Sequence, residues 1–398
     1  MKPFKATQLM QWVIIGSADD PRVQGFIQAL PPEQQRTAKV VSYCADWQIQ
    51  LPSLLTSNTY LRIESPSHDL DAVRQLTRLG RAQADASGFA IYSDKDINNY
   101  DLSNGEFIAP HQFYFGLKQR LEGLQYLLKT HPIAGSMNHI PDVLTFYDKQ
   151  VCHQQLSHHN VALPTALYDV TDYADLRNKM HEGKLRNVFI KTRFGSGASG
   201  IIALKTSGPL VHAQTTLEQD GKRLFNTRRL RLISNEGLLA ELVDTLCHWG
   251  VHCEAWVPKA IVNKMNTDIR LLVVDREANF AVLRKSKTPI TNLHLLNQRA
   301  SIEDLQSLMP QQAWQSVEST ARKVAEIFPN SFHLALDVAV HKNFSEHSVL
   351  EINAFGDFLQ NVTHQGMNSY QCELKQFFAK HSKSSISSTP SLNPEASL

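Results

Sequence analysis

The chain has 398 residues, 42% of them hydrophobic and 20% charged, with a formal net charge of +2. That length allows two or three domain cores, and the balanced charge leaves no footprint for nucleic acid or an acidic membrane surface. No apolar run approaches the roughly 18 residues of a membrane span. Near the N-terminus only Trp12 to Ile15 is continuously apolar and no small-residue cleavage site follows, so no signal peptide is expected. The cysteines (Cys44, Cys152, Cys247, Cys253 and Cys372) are odd in number, widely spaced and form no C-x-x-C. They argue against a disulfide framework and for a reducing cytoplasm.

In chain order, residues 1–110 read as an α/β unit. "QWVIIGS" is a short buried strand ending at Gly16, "PRVQGFIQAL" has helical spacing, and "AKVVSYC" is a second strand. "DLDAVRQLTRLGRAQ" is a helix after a strand near "YLRIE", so strands and helices alternate as in a small parallel sheet. Gly16-Ser17 is not a G-x-G-x-x-G fingerprint. Residues 111–164 read as helices, including Phe113 to Leu128, with a strand after Pro164. Residues 171–183 are helical, and 187–204 form a strand, a Gly-rich turn and a strand. "NEGLLAELVDTLCHWG" is a helix stopped at Gly250, and "VHCEAWV" is a strand. "DIRLLVVDREANFAVLRKSK" is a hairpin turned at "DREAN". "QQAWQSVESTARKVAEIF" is an amphipathic helix, and "FHLALDVAV" and "HSVLEINAF" are two further strands. Residues 381–398 are Ser/Pro-rich with few large apolar groups, and are expected to be disordered.

The strongest chemical signal is late in the chain. Asp337 alternates with Leu336 and Val338, and Glu351 and Asn353 share one face of their strand. Asp337 and Glu351 lie seven residues either side of Phe344, near the middle of the intervening loop, so a simple hairpin sets the two carboxylates opposite each other. Like charges so placed repel. Either a hard cation sits between them, with Asn353 as a third oxygen ligand, or arginine and lysine neutralise them. "FIKTRFGSGASG" puts Lys191 before its glycines, at the end of a strand, whereas a P-loop needs its lysine after them and at a helix start. A β-hairpin phosphate clasp and a plain turn both remain open. "CEAWVPKA" carries Glu254 and Trp256 on one face. Asp268 and Arg270, with Arg284 and Lys285 on the returning strand, offer charges for phosphate or a carboxylate.

Together and in this order, "DK", "NVALP", "FIK…GSGASG", "EAWVPK", "DIRLLV", "LRKS", "LDVAV" and "LEIN" resemble the ATP-grasp superfamily over residues 138 to 360. The chain looks like a little-characterised bacterial ATP-grasp group and is more distantly similar to the ribosomal-protein glutamate ligases. The resemblance implies an α/β fold: an ATP-grasp core behind an N-terminal Rossmann-like pre-grasp domain. The divisions would be 1–110 (pre-grasp), 111–164 (linking helices), 165–257 (lid with the clasp), 258–380 (C-terminal subdomain with the metal site) and 381–398 (tail). It implies that Lys149 and Lys191 contact ATP phosphates, and that Gly195, Ser196, Gly197, Ala198 and Ser199 close over them. Glu254 with the backbone around Trp256 and Val257 would hold adenine, with Lys259 near the nucleotide. Arg270 and Arg284 would face the γ-phosphate or the acceptor, and Asp337, Glu351 and Asn353 would bind one or two Mg²⁺.

The implied activity is an ADP-forming carboxylate–amine ligase using an acyl phosphate. Its substrates would be small-molecule or peptide carboxylates and amines, with a homodimer as the assembly. A nucleotide-binding module without ligase activity and a small-molecule kinase on the same fold are the rival readings. One departure stands out: where relatives carry glycine, "TNLHLLNQRA" has Asn292 and Asn297 but none. The Cys/His stretches "CHWGVHCE" and "VCHQQLSHH" do not converge as zinc ligands should. Arg62 reads as an exposed arginine flanking a strand, with substrate contact as the other reading.

Overall fold

Gln11–Ile15 forms strand β1, buried on both faces from Trp12 onward, as expected of a parallel strand between helical layers. Strands β2 (Lys39–Val41) and β3 (Thr59–Ile63) pair with it in parallel, and β4 (Gly135–Ser136) joins β3. In this computed structural model the described residues are 10–386 apart from 108, 196–198, 209, 222, 356–358 and 360, with the backbone alone at 102, 294 and 382–386. The helices around this sheet start where the sequence supplies caps: Asp20 accepts from Arg22 N, and Asp69 from Ala72 N. Behind the sheet two helices touch backbone to backbone. A Cβ on Gly80 would lie 1.9 Å from the Gln112 carbonyl, and one on Gly116 would lie 1.9 Å from that of Leu76. Glycine is required on both sides of that contact.

The second sheet is antiparallel, in the order β5-β10-β6-β7-β8-β9. Its strands are β5 (Ala166–Leu167), β6 (Asn187–Thr192), β7 (Ile201–Ser207), β8 (Leu210–Asp220), β9 (Arg223–Ile233) and β10 (Val251–Ala255). The third sheet is antiparallel in the order β14-β13-β12-β15-β16, with β11 on β12. It comprises β11 (Ile261–Val262), β12 (Met265–Val274), β13 (Glu277–Ser286), β14 (Gln298–Ala300), β15 (His333–Val340) and β16 (His347–Asn353). The β12–β13 hairpin turns on Asp275 and Arg276, both at positive φ (43° and 71°), the signature of a tight two-residue turn.

The helix expected over Phe113 to Leu128 runs Pro110–Thr130. The stretch before Pro164 holds two helices, Ile140–Tyr147 and Lys149–His158, broken at Asp148, whose carboxylate caps the second. Among the described residues no helix is long and apolar enough to cross a membrane.

Sequence reasoning passed over the β8–β9 hairpin and the last helix, Ser369–Ile386. That helix carries on through the first residues of the stretch read as tail; 387–398 lie outside the described residues. It also corrects the reading of Arg62. The guanidinium is buried, with 1% of its side chain exposed, between Glu64 at 2.7 Å and Glu373 of the last helix at 2.6 Å. It lies over the rings of Phe26 (4.3 Å) and Tyr370 (5.3 Å). Burial pushes both carboxyls above their ordinary range although Arg62 pulls them down. Around this pair Trp12, Ile14, Phe26 and Tyr60 pack against Tyr370, Leu374 and Phe377. Arg62 is therefore a fastener between the first sheet and the Ser369–Ile386 helix, neither exposed nor facing the cleft described below.

Breaking a buried pair from one side leaves a stranded charge, at a cost of about 3–5 kcal/mol. Arg62→Met, which leaves the buried Glu64 and Glu373 without their cation, should lower the unfolding free energy by roughly that amount, read by urea denaturation. A loss within ~0.5 kcal/mol, the range of ordinary surface substitutions, would rule out the fastening role.

Candidate active site

One cleft, with about 720 Å³ of free space including its mouth, is lined from the second sheet by Phe189, Lys191, Ile201 and Glu254, and from the third by Asp268, Arg284, Asp337, Leu350 and Glu351. Lys149 enters from the first turn of its helix, and Lys259, Ile290 and Thr291 come from loops.

Strand pairing builds the polar floor. Arg270, Asp337 and Glu351 are facing partners across β12, β15 and β16. The expected Asp337–Glu351 register is present, but not through a simple hairpin. Nearer the loop, Val338 faces Val349, and Leu350 is the extra residue that restores the register at Glu351. The bulge leaves Leu350 lining the cleft beside Glu351.

Cationic side chains lie against both carboxylates. Asp337 accepts from Arg270 at 2.5 Å and lies 3.0 Å from the Arg284 guanidinium, while Glu351 lies 3.1 Å from Lys149 Nζ. Lys149 Nζ also donates to the Gly195 carbonyl, at the start of the Gly-rich turn. Its position is fixed from behind, because Arg193 grips the capping Asp148 with two bonds of 2.7 Å.

On the opposite wall Lys191 and His252 face each other on β6 and β10, next to the facing pair Phe189 and Glu254. Lys191 Nζ is 2.5 Å from Glu254 Oε1, and His252 Nε2 is 3.3 Å from Oε2. Burial opposes both charges. Glu254 and Glu351 nevertheless hold the Lys191 ammonium above its ordinary value, and Lys191 and His252 draw Glu254 down to about 2. Asp268 binds Arg284 (2.7 Å), Lys259 (3.2 Å) and the Thr291 hydroxyl. Burial, opposed by Asp268 and aided by Arg284, leaves the Lys259 ammonium below its usual value.

An apolar slot of Phe189, Ile201, Ala203 and Ile290 adjoins these charges, backed by Leu230, Trp256 and Leu295. The Trp256 ring packs on Phe189 at 5.3 Å, and its backbone N–H donates to the Asn187 carbonyl, as that of Ala255 does to Thr165. Among the described residues nothing takes the N–H of Val257, which lines the cleft. Arg270 and Asn353 sit at the floor without lining the cleft; the amide of Asn353 lies 3.5 Å from the Ala335 carbonyl. Gly195 and Ser199 line the cleft, and Ser196, Gly197 and Ala198 lie outside the described residues.

The loop without glycine has its own solution: Leu296 takes the left-handed conformation (φ 59°), and the Asn297 amide donates to the carbonyls of Ile290 and Asn292 at 2.9 Å. Of the lining groups, Phe189, Ile201, Ile290, Thr291 and Leu350 were not singled out from the sequence, and Asp268 was noted only as a face-mate of Arg270. Their signal is the strand alternation around residues already chosen. The Cys/His stretches bring no group of three or more His, Cys, Asp or Glu together as metal ligands among the described residues.

No protein-family model matches the sequence, and no curated protein matches it. Solved structures match over nearly its whole length. The ATP-grasp ligase PsnB, complexed with minimal precursor, is 13% identical with a TM-score of 0.50, covering 93% of this chain and 99% of that one. D-cycloserine synthetase DcsG is 12% identical with a TM-score of 0.51, over 93% and 99%. D-alanine–D-alanine ligase from Bacillus anthracis, complexed with ATP, is 10% identical with a TM-score of 0.54, over 96% and 100%. At such identities the likeness is one of fold: this chain has the ATP-grasp fold.

Because the pKa of Glu254 falls to about 2 in the folded state, its contribution to stability is complete above the ordinary carboxylate range and fades as pH drops toward 2. Glu254→Gln should destabilise the protein by a constant amount from about pH 6 upward, with the difference shrinking below about pH 4. Urea midpoints across that range test it, and a gap that widens in acid would contradict the assignment.

Proposed function

We propose that this chain is an ATP- and Mg²⁺-dependent ligase that activates a carboxylate as an acyl phosphate and joins it to an amine, releasing ADP and phosphate. The observation that carries the reading is the row Arg270–Asp337–Glu351, flanked by Lys149, Lys191 and Arg284 and adjoining an apolar slot. The fold likeness to ligases supports it. In this reading residues 1–110 form the pre-grasp domain, 165–257 the lid and 258–380 the metal-bearing subdomain.

Asp337, Glu351 and Asn353 fit a hard divalent ion, since they supply oxygen donors only. When bound, Mg²⁺ would draw charge off the phosphate oxygens. The rest falls to the chain's own side chains. Phe189, Ile201, Ile290 and Leu350 contact the faces of the base, and the Val257 N–H meets its edge. Lys191, held by Glu254, neutralises phosphate. Lys149 exchanges Glu351 for phosphate oxygens and, being bonded to Gly195, couples that exchange to the turn above.

Arg284 orients the γ-phosphate and the incoming carboxylate, and Arg270 holds Asp337 in place at the floor, because phosphoryl transfer depends chiefly on alignment and charge neutralisation. The substrate carboxylate attacks the γ-phosphorus and ADP leaves. The amine then attacks the acyl carbon, loses a proton and expels phosphate. No enzyme nucleophile is needed.

ATP binding, followed calorimetrically, should require Mg²⁺ and weaken roughly tenfold or more, at least ~1.4 kcal/mol, in Glu351→Ala. Equal binding in the presence of a chelator would remove the metal assignment. Screening pools of carboxylates and amines for ADP release, followed by mass spectrometry of the product, tests the ligation itself. A phosphoester product would make the protein a kinase.

A further inference from the structure

Strand β9 is the outer edge of the second sheet, and its sequence, "RLFNTRRLRLI", holds Arg223, Arg228, Arg229 and Arg231 with no acidic residue. Its pairing with β8 is broken. Asn226 faces Leu217 and Arg231 faces Thr215, so Thr227, Arg228, Arg229 and Leu230 stand opposite Thr216 alone. This wide bulge is anchored at both ends to the cleft. Asn226 Oδ1 accepts from Gly200 N (3.3 Å), the last glycine of the Gly-rich turn. Leu230 packs against the slot of Phe189, Ile201 and Ile290. The Thr227 hydroxyl braces the bulge by donating to the Arg229 carbonyl at 2.7 Å.

Two of the four arginines are already used: Arg223 is paired with Glu106, and Arg231 lies 3.4 Å from Glu218. Arg228 and Arg229 are exposed and have no ion pair among the described residues. The 104–107 segment pairs with the outer side of β9 through Asn226 N to the Gly105 carbonyl and Phe107 N to the Leu224 carbonyl, and past the bulge Arg231, Leu232 and Ile233 rejoin the ladder with β8 at the sheet edge. Leu232 is 76% exposed.

Resting on the ligase reading above, we infer that this edge is a docking site for an extended acidic polypeptide segment, and hence that the substrate is a peptide or protein rather than a small molecule. Free guanidinium groups pair with side-chain carboxylates. An open strand edge pairs with an extended main chain, which a nucleic acid does not offer. A segment paired along Arg231–Ile233, with its carboxylates on Arg228 and Arg229, lies beside the cleft, because Leu230 packs against the apolar slot.

The test uses the full-length chain and a fluorescein-labelled ten-residue glutamate peptide, with binding read by anisotropy and Mg²⁺-ATP binding measured alongside. The wild type should bind the peptide, and the affinity should fall roughly tenfold or more in Arg228→Glu/Arg229→Glu and with added salt. Mg²⁺-ATP binding should stay within about twofold, a small fraction of the ~1.4 kcal/mol that a tenfold change represents; this also shows that the variant is folded. No peptide binding by a wild type that binds ATP, or equal binding by the variant, overturns the docking site while leaving the ligase reading intact. A lost ATP affinity in the variant would assign these arginines to the nucleotide instead. Tighter binding of an oligonucleotide of equal charge would overturn the peptide assignment. Peptide binding that depends on Arg228 and Arg229 in a protein that does not bind ATP would sink the ligase reading alone.

Discussion

Everything in the cleft depends on one electrostatic constraint: a charge taken out of water must be met by an opposite one. Here the rule produces a chain of alternating charges. Glu351 meets Lys149; Asp337 meets Arg270 and Arg284; Asp268 meets Arg284 and Lys259; Glu254 meets Lys191. Each cation that suits a phosphate already has a carboxylate partner. The folded chain therefore carries no stranded positive charge into the encounter with a polyanion. On the ligase reading proposed above, a nucleotide with its metal would replace these partners by exchange, cation by cation, with little reorganisation.

That network explains why much of the site was legible in the sequence. Strand alternation placed Asp337, Glu351 and Asn353, and the lysine preceding rather than following its glycines excluded a P-loop. The register of the two carboxylates came out as expected although the path differs. The hairpin loop is centred off Phe344, and the bulge at Leu350 makes up the difference, a detail that alternation alone does not encode. Alternation also does not say which carbonyl takes a given backbone N–H: that of Trp256 goes to Asn187.

The misreadings share a cause. Arg62 was judged from its neighbours in sequence, while its environment is set by Glu373, 311 positions away. The final helix was hidden because its buried stripe of Tyr370, Leu374 and Phe377 includes Glu373, which weakens the apolar signal. The β8–β9 hairpin was hidden by its own arginines, since a half-exposed edge strand with a wide bulge has no clean period of two.

The last helix bears on how the molecule is made. One face of the first sheet, with Trp12, Ile14, Phe26 and Tyr60, is completed by side chains near the other end of the chain. On a ribosome adding about 5–20 residues each second, that face emerges some 300 residues before the helix that completes it, since Arg62 and Glu373 are 311 positions apart. For tens of seconds at such rates the nascent protein shows a large apolar surface. A chaperone that shields such surfaces should therefore set the yield of this protein, even though the finished fold hides every trace of the need.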